Sequence, residues 1–564
     1  MSELNQRARW RPSPKVLISL IILLAGVIRL SGLSSLPNGL HWDELDTGYQ
    51  AFSLLTTGRD YFGNILPVFP HSFADFRTPI YIYSSIPQVY LFGLSAFSVR
   101  IGSVVFGLFS IALFYTLVTR LFSKPQIGLL AALGLAVSVW HIQYSRQSVE
   151  TISLLTYLLL GLNFLLKSLK TPKSLIPASM TLSMATLAYS PGKMFVPLLA
   201  LFFAILNRKS ILKFNSKIQL YSGIICFVIF GFVIFDSIFG KSGTRFHDLS
   251  IFTDPTIASE INFKRAEAGL SVTKNPDAIG VSPRLVDKVS YNKPVYIFQK
   301  FVINYLNTFS FDFLFIKGDA EARHSPARNE IGQLMAIEAI PFVIGLYILV
   351  SKKQYFLLMW LLLAPIPSAL TRDGGTHSAR LLILLPALQL TIAVGVYQIF
   401  RKTKLLFLIY SLFFIFSVVY TLNYYFSTYR FESAKPFQWG FGEMVKRAVS
   451  ESPNYDTVIL DAGQDSALMA YLFTTKYSPA KFQSLQQSFS YNLVDDVTGK
   501  RFGNILLLSP GSRTWTDLFS NNGITGHNLI IASAGLSQLE SVGPSELVRY
   551  PNRLPAFYIF SHTW

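Results

Sequence analysis

The feature that most constrains the fold of this chain is a series of apolar runs, each long enough to cross a lipid bilayer. A membrane-spanning helix needs about 17–25 apolar residues. Runs of this kind lie at 16–33, 98–119, 126–143, 148–166, 174–190, 192–207, 218–239, 333–351, 354–371, 379–400 and 403–423. Only 14% of the residues are charged, whereas soluble proteins carry about 25%. The sequence therefore predicts a polytopic α-helical membrane protein with about eleven transmembrane helices.

The distribution of Lys and Arg predicts which helix ends face the cytoplasm, because cytoplasmic loops are enriched in these residues. If the N-terminus is cytoplasmic and the short run 79–95 does not cross, every connection on that side is basic. These connections lie at 7–15, 120–124, 167–173, 208–217, 352–353 and 401–404. Making 79–95 a full crossing would invert every later loop, so we expect this run to lie at the interface. The expected location is the plasma membrane, with an uncleaved first helix.

Three long segments then face outward, namely the loops 34–97 and 240–332 and everything after about 426. The last segment contains short apolar runs bounded by Gly, Pro, Asn and Asp, which is typical of buried strands. These runs lie at 456–462, 503–509, 528–534 and 556–561, and helical spacing occurs at 440–451 and 465–477. The sequence thus predicts a membrane domain over 1–426 and a small extracytoplasmic α/β domain over 427–564.

Composition excludes several other classes of protein. The net charge of +18 is explained by basic cytoplasmic loops, so we expect no nucleic-acid partner. The single cysteine, Cys226, lies in an apolar run and allows neither an intramolecular disulfide nor a cysteine metal site.

Two adjacent acids, Asp43 and Glu44, follow the first apolar run in the stretch GLHWDELDTGYQAFSLL. Acids in a first helical turn face the positive end of the helix dipole. One interpretation is therefore that both carboxylates cap a helix. The other is that they are working carboxylates of an enzyme. Asp60, in the Gly-rich stretch GRDYFGN, is expected to form a turn instead.

Two further outer segments carry candidate substrate-binding residues. In HIQYSRQSVE, Arg146 and Glu150 are four residues apart and would share one face of a helix, either as a local ion pair or as part of a site. In TRDGGTHSAR, His377 and Arg380 precede an apolar run. The alternatives for Arg380 are snorkelling at the interface and binding a lipid-linked phosphate, because a guanidinium matches phosphate oxygens in geometry.

The segment 313–332 adds positive charge on the same outer side through Lys317, Arg323, His324 and Arg328. Together these segments predict a pocket beside lipid, with acids on one wall and basic groups on the other. Such a pocket suits transfer of a group from a phosphate on a lipid carrier. A carboxylate would deprotonate the acceptor and the basic groups would stabilise the leaving phosphate.

At this point the chain resembles a known family through an ordered set of motifs. They include Asp-Glu after the first span, the Gly-x-Asp turn, Thr-Pro-Ile-Tyr, and HIQYSRQSVE. The full set lies at 41–67, 78–107, 141–150, 188–199, 304–334 and 371–388. These pieces are similar to the GT-C superfamily of membrane glycosyltransferases. The resemblance is to the bacterial branch with protein O-mannosyltransferases and the aminoarabinose transferases of lipid A (families 39 and 83).

The resemblance implies that Asp43 is the catalytic base and Glu44 its partner. It also implies that Glu150 lines the site and that the donor phosphate is bound by Arg380, with His377 or Arg323. The implied donor is a polyprenyl-phosphate-linked sugar, transferred with inversion to an acceptor protein or glycolipid. Some relatives bind a divalent metal, but no metal-ligand spacing is evident in the sequence, so neither a metal nor another cofactor is predicted.

Other functions make different demands on the sequence. An oligosaccharyltransferase would use a lipid-diphosphate donor, and those enzymes usually have an acidic metal-binding set and a larger C-terminal domain. A transporter or flippase would have charges in the middle of its spans and two similar halves. A non-catalytic assembly protein would leave the clustering of charge in the outer loops unexplained. The leading prediction is therefore a glycosyltransferase.

Overall fold

A computed structural model describes residues 13–72, 76–240, 243–273, 284–326, 330–461, 467–486, 500–508, 526–534 and 546–563. The first part of the chain is helical up to the second outer loop. Its helices are α1 Pro14–Leu30, α2 Trp42–Thr57, α3 Pro79–Phe92, α4 Ala96–Phe122, α5 Pro125–Val137, α6 Val139–Tyr144, α7 Thr151–Ser168, α8 Leu175–Thr186, α9 Gly192–Leu206, α10 Arg208–Ile211 and α11 Ser216–Phe239.

The next part of the chain, from 244 to 432, is helical as well. Their helices are α12 Thr244–Leu249, α13 Ile257–Thr273, α14 Leu285–Ser290, α15 Lys293–Asn307, α16 Ala339–Ser351, α17 Tyr355–Leu363, α18 Ile366–Ala369, α19 Ser378–Leu381, α20 Leu385–Lys402, α21 Lys404–Phe426 and α22 Tyr429–Glu432. A π-helical turn at Asp312–Ile316 precedes the segment that carries Arg323 and His324. Arg328 lies outside the described residues.

The described residues contain five helices that are long and apolar enough to cross a membrane. They are Ala96–Phe122, Thr151–Ser168, Ser216–Phe239, Ser378–Lys402 and Lys404–Glu432. The chain is thus a helical membrane protein, as predicted, while the count of about eleven crossings stays a prediction. Two of these helices, α11 and α21, expose most of their apolar side chains, including Phe227 and Phe416. Such a surface suits contact with lipid.

The short run 79–95 forms the 14-residue helix α3, with Pro87 inside it. At 1.5 Å per residue this helix is about 21 Å long, which is less than the roughly 30 Å of a hydrocarbon core. The expectation that this run lies at the interface agrees with that length and stays a prediction.

The C-terminal part contains the helices α23 Phe441–Glu451, α24 Ala467–Thr474 and α25 Pro479–Gln486 and a six-stranded sheet of order β2-β3-β1-β4-β6-β5. The strands are β1 Thr457–Asp461, β2 Lys500–Phe502, β3 Ile505–Leu508, β4 His527–Ser533, β5 Glu546–Arg549 and β6 Pro555–Thr563. The central strand β1 is parallel to β3 and β4, and β6 is antiparallel to β4 and β5.

Four strands, β1, β3, β4 and β6, lie within or over the runs that predicted strands, and α23 and α24 lie at the predicted helices. Of those predicted elements, residues 462, 465–466 and 509 lie outside the described residues. The domain boundary at 427 and the side of the membrane on which this sheet lies stay predictions.

The helix α2 connects the two parts, because it lies between the membrane helices and the C-terminal α/β structure. A Cβ atom on Gly48 of α2 would lie 2.6 Å from the Phe473 ring of α24 and 2.7 Å from Val99 of α4. Glycine therefore allows three helices to approach closely. The hydroxyl of Tyr49 donates to the carbonyl oxygen of Tyr477 at 2.9 Å. These contacts fix α2 from both sides.

Gly58 caps the C-terminal end of helix α2. It has a left-handed φ of 67°, a conformation that glycine adopts without strain. Beyond it, the Asp60 carboxylate accepts hydrogen bonds from the backbone N–H groups of Asn64 at 2.8 Å and His71 at 3.1 Å. Asp60 forms a turn, as the sequence predicts. The side-chain amide of Gln483, from α25, donates to the carbonyl oxygen of Asp60 at 2.9 Å.

Candidate active site

The start of α2 separates the roles of the two adjacent acids. His41 caps the helix, since its Nδ1 accepts from the backbone N–H of Asp43 at 3.2 Å. The Glu44 carboxylate completes the capping box by accepting from the backbone N–H of His41 at 3.2 Å. The Asp43 carboxylate takes no part in this cap. It contacts two arginines instead, Arg77 and Arg323, each at 2.9 Å.

Arg77 joins three carboxylates that come from two outer segments. Its guanidinium contacts Asp43 at 2.9 Å, Asp46 at 3.4 Å and Glu150 at 2.6 Å. The Arg77 side chain is only 2% exposed, so these charge-assisted hydrogen bonds lie largely away from water. Arg77 therefore fixes the positions of Asp43 and Glu150 relative to each other.

The carboxylates around Arg77 differ in their affinity for protons. Burial opposes ionisation of Asp43, but Arg77, His41 and Arg323 together hold the pKa of Asp43 well below its usual value. Burial raises the pKa of Asp46 to about 6 despite Arg77 and the hydrogen bonds from Tyr61 and Ser72. Asp43 is thus the stronger acid of this pair and stays ionised at pH values where Asp46 takes up a proton.

Glu44 is held in a separate, buried ion pair. Its carboxylate accepts two hydrogen bonds from the Arg100 guanidinium, each at 2.9 Å, and one from the backbone N–H of Ser148 at 3.0 Å. The Glu44 and Arg100 side chains are 1% and 0% exposed. The other Arg100 N–H groups donate to the carbonyl oxygens of Leu33, Pro37 and Gly39. Glu44 therefore ties α2 to α4 and does not reach the cavity described next.

A cavity of about 330 Å³ lies in front of Asp43. Its polar wall is formed by charged and titratable side chains: Asp43, Glu150, Lys193, Arg323, His324, His377 and Arg380. Its lining also includes apolar side chains of α11 and α12, namely Val233, Ile234, Ile238, Phe246 and Leu249. The cavity thus contains acidic groups, basic groups and apolar side chains. Some of the apolar side chains belong to α11, whose exposed apolar surface suits contact with lipid.

The basic groups of this wall are held in different ways. The Arg380 guanidinium donates to Thr371 Oγ1 and Asp373 Oδ1, both at 2.6 Å. Lys193 Nζ donates to Ser237 Oγ at 3.1 Å. His377 Nδ1 is buried and has no hydrogen-bond partner among the described residues. Burial, with His324 and Arg380 nearby, lowers the pKa of His377 well below its usual value, so its ring is neutral.

Asp319, His324 and His377 form the one group in the described part of the chain with the donors and spacing for a metal ion. Their potential ligand atoms all lie within 4.8 Å of one another. One carboxylate and two imidazoles suit a divalent ion such as Zn²⁺, and the unpartnered His377 Nδ1 fits such a role. Asp319 also accepts from His324 Nδ1 at 3.1 Å and from the backbone N–H of Ser378 at 2.9 Å. These bonds counteract burial and lower the pKa of Asp319 to about 2.

Comparisons with known proteins agree with this architecture. Residues 78–235 match the family described as dolichyl-phosphate-mannose-protein mannosyltransferase. Over its whole length the chain is similar to the crystal structure of ArnT from Cupriavidus metallidurans bound to undecaprenyl phosphate. The identity is 11%, the coverage 97% of this chain and 98% of ArnT, and the TM-score 0.52. The chain therefore shares the fold of this ArnT structure.

Two further solved structures show a weaker likeness to this chain. The oligosaccharyltransferase of Archaeoglobus fulgidus tethered to an acceptor peptide has 12% identity and a TM-score of 0.47, over 82% of this chain and 63% of that one. The Pmt1-Pmt2 complex of S. cerevisiae has 18% identity and a TM-score of 0.32, over 40% and 33%. No curated protein sequence matches the chain.

Six of the eight predicted site residues line the cavity: Asp43, Glu150, Arg323, His324, His377 and Arg380. Glu44 and Arg146 do not. The Arg146 guanidinium donates to the carbonyl oxygens of Ile28, Arg29, Ser31 and Leu36. It therefore holds the end of α1, and Glu150 pairs with Arg77. The proposed local pair of Arg146 with Glu150 is wrong, because the chain is not helical between Tyr144 and Thr151.

Among the charged residues of the site, Asp46, Arg77, Lys193 and Asp319 were not singled out from the sequence. Arg77 stands just before the Thr-Pro-Ile-Tyr motif, and Lys193 stands in AYSPGK, which belongs to the matched motifs. Their positions within those motifs were the available signal. Asp46 and Asp319 carried no signal beyond their charge.

Proposed function

We propose that this chain is a glycosyltransferase of the GT-C superfamily, which moves a sugar from a polyprenyl-phosphate-linked donor to an acceptor outside the membrane, with inversion at the anomeric carbon. The observation that carries the proposal is the single cavity that joins the Asp43 carboxylate, several basic side chains and apolar side chains. The undecaprenyl phosphate bound to ArnT in the similar structure supports a donor of this class. The acceptor is a hydroxyl-bearing protein or glycolipid.

In the proposed reaction, Asp43 accepts the proton of the acceptor hydroxyl as its oxygen attacks the anomeric carbon. The new bond joins that carbon to the acceptor oxygen, and the bond from that carbon to the phosphate oxygen breaks. Attack opposite the leaving phosphate inverts the carbon. Ionisation of Asp43 at neutral pH, which its lowered pKa ensures, meets the first requirement of a general base.

The leaving phosphate gains charge as the bond breaks, so positive groups near it stabilise the transition state. Arg323 and Arg380 line the cavity as guanidinium groups, with Lys193 as an ammonium group. The apolar side chains of α11 would contact the first isoprene units of the donor. Glu150 remains paired with Arg77 and positions Asp43 through it.

The test is sugar transfer by purified full-length protein, using a panel of polyprenyl-phosphate sugars and one polyprenyl-diphosphate sugar. Asp43→Asn should abolish transfer and leave the folded yield intact. Asp312→Asn is the matched control, because Asp312 is an exposed acid that pairs with Lys317 and should retain full activity. Near-normal turnover by Asp43→Asn would remove Asp43 as the base. Use of the diphosphate donor alone would favour the oligosaccharyltransferase alternative.

A further inference from the structure

The two carboxylate oxygens of Asp43 are each taken by a different arginine. Oδ1 accepts from Arg77 at 2.9 Å, and Oδ2 accepts from Arg323 at 2.9 Å. His41 Nδ1 lies 3.3 Å from Oδ2 as well. In this arrangement both arginines stabilise the negative charge of the carboxylate and make it a weaker base toward an acceptor hydroxyl. Loss of one of the two arginine contacts would therefore make Asp43 a stronger base.

The two arginines differ in their freedom to change partner. Arg77 is 2% exposed and holds three carboxylates. Arg323 is 26% exposed and lines the cavity. Within the described part of the chain, Asp43 is the one carboxylate that Arg323 contacts. The pair with Arg323 is the less buried of the two arginine pairs of Asp43 and so the less costly to break, which makes Arg323 the partner that can leave.

The backbone at Arg323 is fixed although its side chain reaches into the cavity. The carbonyl oxygen of Arg323 accepts from the side-chain amides of Gln143 at 2.8 Å and Gln147 at 3.0 Å. The preceding carbonyl oxygen, of Ala322, accepts from the Tyr429 hydroxyl at 3.0 Å. A change of partner by Arg323 therefore requires only rotation about its side-chain bonds, which takes nanoseconds or less in exposed residues.

We propose that Arg323 exchanges partners: it pairs with Asp43 until the donor phosphate enters, and then pairs with a phosphate oxygen and releases Asp43 Oδ2 for the acceptor. This inference rests on the proposed function. The donor phosphate has two free oxygens that a guanidinium can bind through two parallel hydrogen bonds, whereas Arg323 contacts Asp43 through one. The exchange couples donor binding to the availability of the base, so that Asp43 is freed only when a donor is present.

The exchange has a thermodynamic consequence that can be measured without catalysis. If Asp43 and the phosphate compete for Arg323, removing the charge of Asp43 should strengthen phosphate binding. That gain should depend on Arg323, because the competition acts through its guanidinium. Two residues coupled in this way give non-additive effects in a double-mutant cycle.

The experiment measures the dissociation constant of the purified full chain for undecaprenyl phosphate in Asp43→Asn, Arg323→Gln and the double variant. Asp43→Asn should bind about three- to tenfold more tightly than wild type, the range for hydrogen-bonded charge pairs of this exposure. Arg323→Gln should bind more weakly. In the Arg323→Gln background, Asp43→Asn should change the dissociation constant by less than about twofold.

Glu150→Gln is the matched control, because Glu150 lines the same cavity but pairs with Arg77 and not with Arg323. Its effect reports the general loss of negative charge and should be the same with and without Arg323. Thermal unfolding checks that each variant is folded, and Arg323→Met replaces Arg323→Gln if the latter is not.

An Asp43→Asn effect of equal size in both backgrounds would overturn the exchange, since repulsion through space would then explain it. Unchanged binding in Asp43→Asn would overturn it too. Both outcomes leave the proposed function standing. A wild-type protein that does not bind undecaprenyl phosphate would instead overturn the proposed function, and this inference with it.

Discussion

Substitution of Glu44 by glutamine separates a structural from a chemical role for the acid next to the proposed base. Glu44 is buried with Arg100, whose guanidinium is fully enclosed and also donates to three carbonyl oxygens. Removing the charge of Glu44 leaves a buried guanidinium without a carboxylate. Breaking a buried pair in this way destabilises proteins by about 3–5 kcal/mol. Because glutamine keeps one acceptor oxygen, we expect a loss of about 3 kcal/mol.

The assay is thermal unfolding of the purified chain in detergent, together with transfer activity per folded molecule. Glu44→Gln should lower the unfolding midpoint while each folded molecule keeps most of its activity. Asp43→Asn, one residue away, should show the opposite pattern, with transfer lost and the midpoint less affected. The double variant Glu44→Gln/Arg100→Gln should lose less stability than the sum of the single variants, by about 0.5–3 kcal/mol.

The reasoning would be refuted by a Glu44→Gln protein that unfolds at the wild-type temperature and transfers no sugar. Such a result would assign Glu44 to the chemistry. Additive losses in the double variant would show that the contact between Glu44 and Arg100 contributes little.

Three further predictions follow from the site and the topology. Arg380→Ala should raise the KM for the lipid-phosphate donor about tenfold, and an unchanged donor KM would remove Arg380 as a phosphate ligand. A cysteine introduced at Ile65, which is exposed in the loop after α2, should be labelled from outside, and a cysteine at the exposed Lys170 should not; the reverse result would invert the topology. Because the Asp46 pKa is raised to about 6, ionising it destabilises the fold. The unfolding midpoint of wild type should therefore fall relative to that of Asp46→Asn between pH 4 and pH 6. A difference between the two midpoints that does not change with pH would contradict the raised pKa of Asp46.

The apolar runs of the sequence predicted a helical membrane protein. The charged segments between these runs contain six residues that line the cavity. When these segments are assigned to one side of the membrane, their charged residues are expected to lie close together. In the structure, Asp43, Arg323 and His377 line the same cavity. Predictions based on spacing failed where the local structure was not the assumed one. Arg146 and Glu150 are four residues apart, but the chain between them is not helical, so the four-residue spacing has no meaning there.

The contacts that the sequence could not predict are those that join distant segments. Arg77 reaches Glu150 across 73 positions, and Asp319 reaches Ser378 across 59. Partner choice in such pairs depends on burial and on the approach of helices that are far apart in the chain. Glu44 illustrates the ambiguity, since an acid beside Asp43 looked equally suited to chemistry until its partner, Arg100, was known.

The position of α2 between the membrane helices and the C-terminal α/β structure has a consequence for protein engineering. Gly48 touches Phe473, Tyr49 bonds to Tyr477, and the turn at Asp60 is bonded by Gln483. A chimera that exchanges only the C-terminal part would replace the surface against which the helix of the proposed base is seated. A chimera of two relatives should therefore take α2 and the C-terminal α/β structure from the same parent.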